Sequence, residues 1–254
     1  MLLQYDTPDR EVVWAERTID EMMGGHVLLH ALDWDGAEQE FQKAIELGPG
    51  YALAHLYYGS FLAGRGRFED AIEEAREALK LDPISMVAAA HLSILYYNAG
   101  RYDEALEFCR RAMEMEPALP RPYDDLGRIL LEKGASSEAI AALEKAVSLS
   151  NRGARCLSSL GYGYGVTGKK DMAREILAEL TAMSKQGYVA SSDFALVNAG
   201  MGDVDQAICW LERACEERDS HLAFLSIDPR LASLQADPRF KAMLKRVGLQ
   251  GLSK

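Results

Sequence analysis

The stretch ALAHLYYGSFLAGRGRFEDAIEEAREALKLDPIS, residues 52–85, decides the architecture. It breaks at Gly66 into two apolar-periodic halves, and its small residues Gly59, Gly66, Ala71 and Ala78 each return every 34 residues along most of the chain. Ala37, Ala71, Ala105, Ala139, Ala173 and Ala207 hold that register without an insertion or deletion. Glycine holds it at Gly66, Gly100, Gly134, Gly168 and Gly202, and a further small-residue phase runs through Gly25, Gly59, Ser93, Gly127, Gly161 and Ala195. Ala44, Ala78, Ala112, Ala146 and Ala214 form another, broken by Leu180. Pro49, Pro83 and Pro117 close three units, with Asn151, Lys185 and Asp219 in their place later. A fixed period of this length means a helix–turn–helix unit that buries its apolar side only against its neighbours. Glycine marks the sharp turn, which it enters at no steric cost. The other small residues mark where two helix backbones approach.

On these residues the chain resembles the tetratricopeptide repeat family over about residues 18–219. The best match is the unit from Ala52 to Ser85, with Tyr58, Gly59, Leu62, Gly66, Phe68, Ala71, Ala78 and Pro83 on the expected phases. The resemblance implies an all-α, right-handed superhelical solenoid of about six repeats. It also implies a non-catalytic scaffold that holds a peptide or helix in its concave groove. The corresponding division is an N-terminal helical extension at 1–17, repeats at 18–51, 52–85, 86–119, 120–153, 154–187 and 188–219, and capping helices at 220–254.

Composition fits a helical array: 48% hydrophobic, 26% charged and few prolines. The net charge of −11, with Glu69, Asp70, Glu73, Glu74 and Glu77 on a second helix, repels phosphate backbones, so direct nucleic-acid binding is not expected. These carboxylates read as a solvated outer face. No apolar run is long enough to cross a bilayer, and the N-terminal residues lack a signal-peptide pattern, so no membrane association and a cytoplasmic protein are expected. Cys109, Cys156, Cys209 and Cys215 lack a paired spacing and read as free thiols.

The two ends depart from the period. Upstream, Thr7 can cap a helix beginning at Pro8, and Val12, Val13, Ile19, Met22 and Met23 offer an apolar face to the first repeat. Gly24 and Gly25 interrupt that helix, and the first unit has Leu32 where the others have the turn glycine. Downstream, Asp228-Pro229 and Asp237-Pro238 each set a capping carboxylate before a proline at the first helical position, and Gly248 is a natural stop. Phe224, Leu225, Leu231, Leu234, Phe240, Met243 and Leu244 are expected to cover the last repeat. This tail is similar to the one that follows repeat arrays in bacterial multidomain regulators. That likeness leaves open both an excised C-terminal part and a stand-alone adaptor.

The resemblance assigns the concave stripe to the first helix of each unit, where residues three or four apart share a face. The stripe includes Leu53, Leu56 and Ser60, then Val87, Ala90, Ile94 and Tyr97, then Arg121, Asp124, Arg128 and Leu131, then Arg155, Ser158 and Tyr162. The candidate peptide-binding set is Leu56, Ile94, Tyr97, Arg121, Asp124, Arg128, Arg155 and Tyr162. Guanidinium groups suit a carboxylate or phosphate because they donate two parallel hydrogen bonds. An incoming segment would set apolar side chains near Leu56, Ile94 and Tyr97 and an acidic group at Arg128 and Arg155. Charge reversal at both arginines should then abolish capture without altering the fold. The opposing reading is that Asp124 and nearby acids neutralise these arginines as ordinary pairs. The alternative function is a regulatory or self-association module, with a homodimer as its partner state.

Catalysis has little footing in the sequence. His26, His30, His55, His91 and His221 belong to no metal or nucleophile motif, and His26 and His30 lack a visible third ligand. Gly161-Tyr162-Gly163-Tyr164-Gly165 lacks the lysine and preceding strand of a phosphate loop and reads as close packing. No cofactor is expected.

Overall fold

A computed structural model of the chain describes residues 21–23 and 32–249. The helices are α1 (Trp34–Leu47), α2 (Ala52–Gly64), α3 (Phe68–Leu81), α4 (Met86–Asn98), α5 (Tyr102–Met115), α6 (Pro120–Glu132), α7 (Ser136–Leu149), α8 (Ala154–Val166), α9 (Lys170–Ser184), α10 (Ser191–Met201) and α11 (Val204–Glu217). Two 3-10 helices, Ser220–Phe224 and Pro229–Leu234, lead to α12, Pro238–Arg246. No strand occurs among the described residues, and none of their helices is long and apolar enough to cross a membrane. The solenoid of paired helices is the one expected.

Helix α3 shows how the sequence builds a unit. It is made largely of Ala, Leu, Glu, Lys and Arg, with Glu69 and Asp70 in its first turn and Lys80 in its last, each favoured by the helix dipole. Ala71, Ile72, Ala75 and Ala78 form its buried stripe. The first helices α2, α4 and α8 are buried on most sides because they lie between their own second helix and neighbouring units.

The repeated glycines perform one conformational task. Gly66, Gly100, Gly134, Gly168 and Gly202 have φ between 73° and 81°, and the residue after each donates its N–H back to the preceding helix: Arg67 to Leu62, Arg101 to Tyr96, Ala135 to Leu130, Lys169 to Tyr164 and Asp203 to Asn198, at 2.8–3.0 Å. This is the six-to-one bond of a left-handed helix terminus. Leu32, on the same phase, adopts the same region at φ 62°, a conformation its side chain disfavours.

The alanine phase is the packing seam. Ala37, Ala71, Ala105, Ala139, Ala173 and Ala207 are all fully buried. Opposite them, a Cβ on Gly59 would stand 3.1 Å from the Ala71 carbonyl oxygen, and one on Gly127 would stand 3.0 Å from that of Ala139. Ser93 occupies this phase by donating its hydroxyl to the Ala105 carbonyl at 3.0 Å. The Gly161–Gly165 run lies in continuous helix α8: a Cβ on Gly161 would meet Val197 at 2.8 Å, and one on Gly165 would meet Gly200 backbone at 2.4 Å. Those glycines let α8 and α10 touch backbone to backbone, as the close-packing reading required.

The segment after α11 packs on α10 and α11, as expected of a cap, but it also crosses to the opposite end of the array. Leu222, Leu225, Ile227, Leu231, Leu234, Phe240 and Leu249 share one apolar core with Trp34, Phe41, Phe61, Leu95, Leu196 and Leu211. The Trp34 indole donates to the Val247 carbonyl at 2.9 Å, and Arg65 donates to the Gly248 carbonyl at 3.0 Å. A Cβ on Gly64 would stand 2.8 Å from the Ala223 carbonyl oxygen. Met22 is buried beside Ala44 and Ala54 while Met23 is exposed. Thr7, Val12, Val13, Ile19, Gly24, Gly25, His26 and His30 lie outside the described residues.

Candidate functional site

The expected stripe lies along α2, α4, α6 and α8, and the chain's own C-terminal segment lies across it. Leu56, Tyr97, Asp124 and Tyr162 are buried, whereas Leu53 and Val87 at the edge are exposed. Ile94, Arg121, Arg128 and Arg155 come together on the wall of a cavity of about 450 Å³ between the stripe and the segment. The same wall includes Ser60, His91, His221, Phe224, Asp228 and Arg230. The expected set therefore splits: four residues face the cavity and four are covered.

Proline and a capping carboxylate shape the segment locally. Asp228 accepts the Arg230 N–H at 3.0 Å and so starts the second 3-10 helix, with Pro229 at its first position. That turn folds the Arg230 guanidinium back onto the same carboxylate, Nε to Oδ1 at 3.0 Å and Nη2 to Oδ2 at 2.6 Å. Arg230 Nη1 also reaches Ser159 Oγ on α8 at 3.4 Å. Burial would raise the Asp228 carboxyl, but Arg230, with Arg128 beyond it, holds it well below the usual carboxylate range.

Asp125 lies behind the groove arginines, at 3.4 Å from Arg121 and 3.5 Å from Arg128. Arg128 is only 5% exposed, stacks over the Tyr97 ring at 4.7 Å, and leaves its Nε without a hydrogen-bond partner. Tyr97 Oη and Asp124 Oδ1 are likewise buried and unpartnered. Burial raises the Asp124 carboxyl, with Arg128 and Arg155 opposing. The ion pairs of the cluster are Arg121–Asp125, Arg128–Asp125 and Arg230–Asp228, and Arg155 takes part in none of them. Arg155 has exposed surface on the cavity wall, while the protein around it and the Arg121 charge pull its guanidinium below its ordinary value.

Two histidines complete the wall. Burial and Arg121 lower His91 to about 4, and burial with Arg155 and Arg230 lowers His221 to about 4. Both imidazoles are therefore neutral at pH 7. Ser60 Oγ lies 3.3 Å from His91 Nε2. Farther along, Ser158 donates to Asp193 at 2.8 Å, and Asp219 accepts the Ser192 N–H at 3.0 Å, fastening the start of the segment to α10.

Two sequence expectations need correction. Charge reversal at Arg128 cannot leave the fold untouched, because the side chain is buried between Tyr97 and Asp125. The acids beside the arginines are also more than exposed surface pairs, since Asp125 is 1% exposed at its side chain. Sequence reasoning missed Gly64, His221, Asp228 and Arg230 as parts of the site. Gly64 carried a signal, a glycine inside a helix and outside the repeat phase, but the segment that needs it lies far away in sequence.

Sequence models of the tetratricopeptide repeat match residues 22–85 and, for a second such model, residues 62–118 and 96–155. Together they span more than half of the chain. No curated protein matches it. Among solved structures, MamA protein is 25% identical with a TM-score of 0.50, the match covering 69% of this chain and 99% of that one. Pseudomonas aeruginosa pilF is 19% identical with a TM-score of 0.57, covering 83% and 96%. A chain of the APC/C hetero-tetramer Cut9–Hcn1 gives a TM-score of 0.62 at 19% identity over 92% of this chain and 43% of that one. The last two likenesses are likenesses of fold.

Proposed function

Because the chain belongs to the tetratricopeptide repeat family, we propose that it is a non-catalytic protein-interaction scaffold whose concave stripe holds a peptide or helix. The repeat division given above, with its terminal extension and cap, is part of this reading. The observation that carries it is the stripe's grip on the chain's own residues 219–235. An acidic residue, Asp228, paired with Arg230 of the same segment, shares the cavity wall with the groove arginines, and Leu225 and Leu231 are buried beside it. A partner segment with an acidic residue followed by proline and leucine matches the same chemistry and would compete for the same place.

The test uses a fluorescent peptide of residues 219–236 and the full-length chain. Asp228→Ala/Arg230→Ala loosens the resident segment and should bind the peptide at least about tenfold more tightly than the wild type, as expected when a competing intramolecular occupant is weakened. Equal, negligible polarisation change in both proteins would overturn the groove reading. One observation favours the self-association alternative: the contacts from Trp34 to Val247 join distant parts of the chain, and two copies could exchange them. Light scattering across a concentration series distinguishes it, since exchange gives a dimer that Trp34→Ala weakens.

A further inference from the structure

The C-terminal segment does not fill the groove where the arginines converge. The remaining cavity of about 450 Å³ falls in the range typical of small-molecule sites, roughly 300–1,000 Å³. Arg121, Arg128, Arg155 and Arg230 line it against Asp228, the one carboxylate among its described lining residues, and that carboxylate is held bidentately by Arg230. Asp125 behind the wall is shared between Arg121 and Arg128 at 3.4 and 3.5 Å, which is long for a charge-assisted bond. Arg155 stands outside all of these pairs, and the buried Arg128 keeps an unpartnered Nε. The cationic end is therefore undersatisfied. Phe41, Ala63, Ile94, Leu95 and Phe224 supply an apolar part of the remaining wall, beside the uncharged Tyr57, Ser60 and Asn98 and the neutral His91 and His221.

We propose that this cavity binds a small amphipathic organic anion, its carboxylate or phosphate monoester head held by Arg155, Arg128 and Arg121, its apolar body lying along Ile94, Leu95 and Phe224. Such a molecule would touch both the array and the segment that closes it. Its binding does not depend on the identity, or the existence, of a protein partner. Paired arginines recognise an oxyanion head by parallel hydrogen bonds, and a mixed apolar wall orients the rest. A free peptide strand is a poorer occupant, because the tail already covers the flanking stripe.

The test is isothermal titration calorimetry on the full-length chain with n-octanoate, n-octyl phosphate, n-octanol and acetate. Octanoate or octyl phosphate should bind saturably at one site, and the tighter of the two assigns the head group. Octanol, which lacks the charge, and acetate, which lacks the body, should each bind at least about tenfold more weakly. Arg155→Gln should weaken the anion by about tenfold while leaving helicity and melting of the free protein unchanged, because Arg155 supports no ion pair among the described residues. Arg121→Gln, on a half-exposed side chain, provides a second variant, and Arg174→Gln, in a surface pair with Asp171, is the control. No saturable heat from either anion, octanol binding as tightly as octanoate, or an affinity indifferent to both cavity arginines would each overturn the proposal.

Discussion

The Nε1–H of Trp34 donates to the carbonyl oxygen of Val247 at 2.9 Å, across 213 positions of sequence. Trp34 is 9% exposed, so losing the indole donor while the segment stays in place would leave the Val247 carbonyl buried without a partner. Trp34→Phe keeps most of the apolar ring but removes the donor. It should cost about 1–3 kcal/mol, the usual penalty for a buried acceptor left without a partner, read from urea denaturation. A change below about 0.3 kcal/mol would mean that the Val247 carbonyl is hydrated instead.

The glycines separate into two mechanisms that stability measurements can distinguish. Gly134 has φ 76° and open space where a Cβ would go, so Gly134→Ala should cost only backbone strain, about 1–2 kcal/mol. At Gly165 the backbone is ordinary helix but a Cβ would stand 2.4 Å from Gly200 carbon. Gly165→Ala must force α8 and α10 apart and should cost well over about 3 kcal/mol or prevent folding. Equal costs at the two sites would contradict this packing.

Asp228 and Arg230 are mutually paired and buried. Removing one partner strands a charge, so Asp228→Ala should destabilise by about 3–5 kcal/mol, whereas Asp228→Leu/Arg230→Met should recover much of that loss. Hydrogen exchange at 220–249 should accelerate strongly in the single variant. Full protection in that variant would show that the apolar contacts alone hold the segment.

For the cavity histidines, the sign of the pH dependence follows from their lowered values. His91 and His221 titrate at about 4 in the fold, against an ordinary value of about 6.5. The unfolded chain therefore takes up protons first as pH falls, so their contribution is present above about pH 6.5 and is lost progressively towards pH 4. Asp124 and Asp193, whose carboxyls are raised by burial, act in the opposite direction over the acidic part of that window. The informative quantity is thus the difference between wild type and His221→Gln: the wild type should lose more stability than the variant between pH 7 and pH 5. Parallel profiles would mean that His221 is protonated without penalty.

The period made the array legible because packing seams admit few residue types. Ala71 and Gly66 are dictated by geometry, and a geometric constraint repeated along a chain becomes visible as phase. For the stripe from Leu56 to Tyr162, the resemblance chose the helices, and α-helical spacing only set which of their residues share a face. What covers it was not legible. Leu225, Leu231, Phe240 and Leu244 form an apolar face that could serve any neighbouring surface, and hydrophobic burial is non-directional. The caps at Asp228 and Asp237 can be read locally, but the contact of Ala223 with Gly64 depends on tertiary closure that no short spacing encodes. The same closure turns Arg128 from an expected open contact into a buried one.

Tying the end of the chain back to Trp34 also alters how the molecule should fold and melt. An open repeat array behaves like a stack with neighbour-only coupling, so its outer units fray independently and partial unfolding is cheap. Here the Trp34–Val247 and Arg65–Gly248 bonds give the stack contacts of very high sequence separation. Folding must therefore wait for one large loop closure, which slows it relative to its helical content, and the outermost repeats cannot unzip until that closure is released.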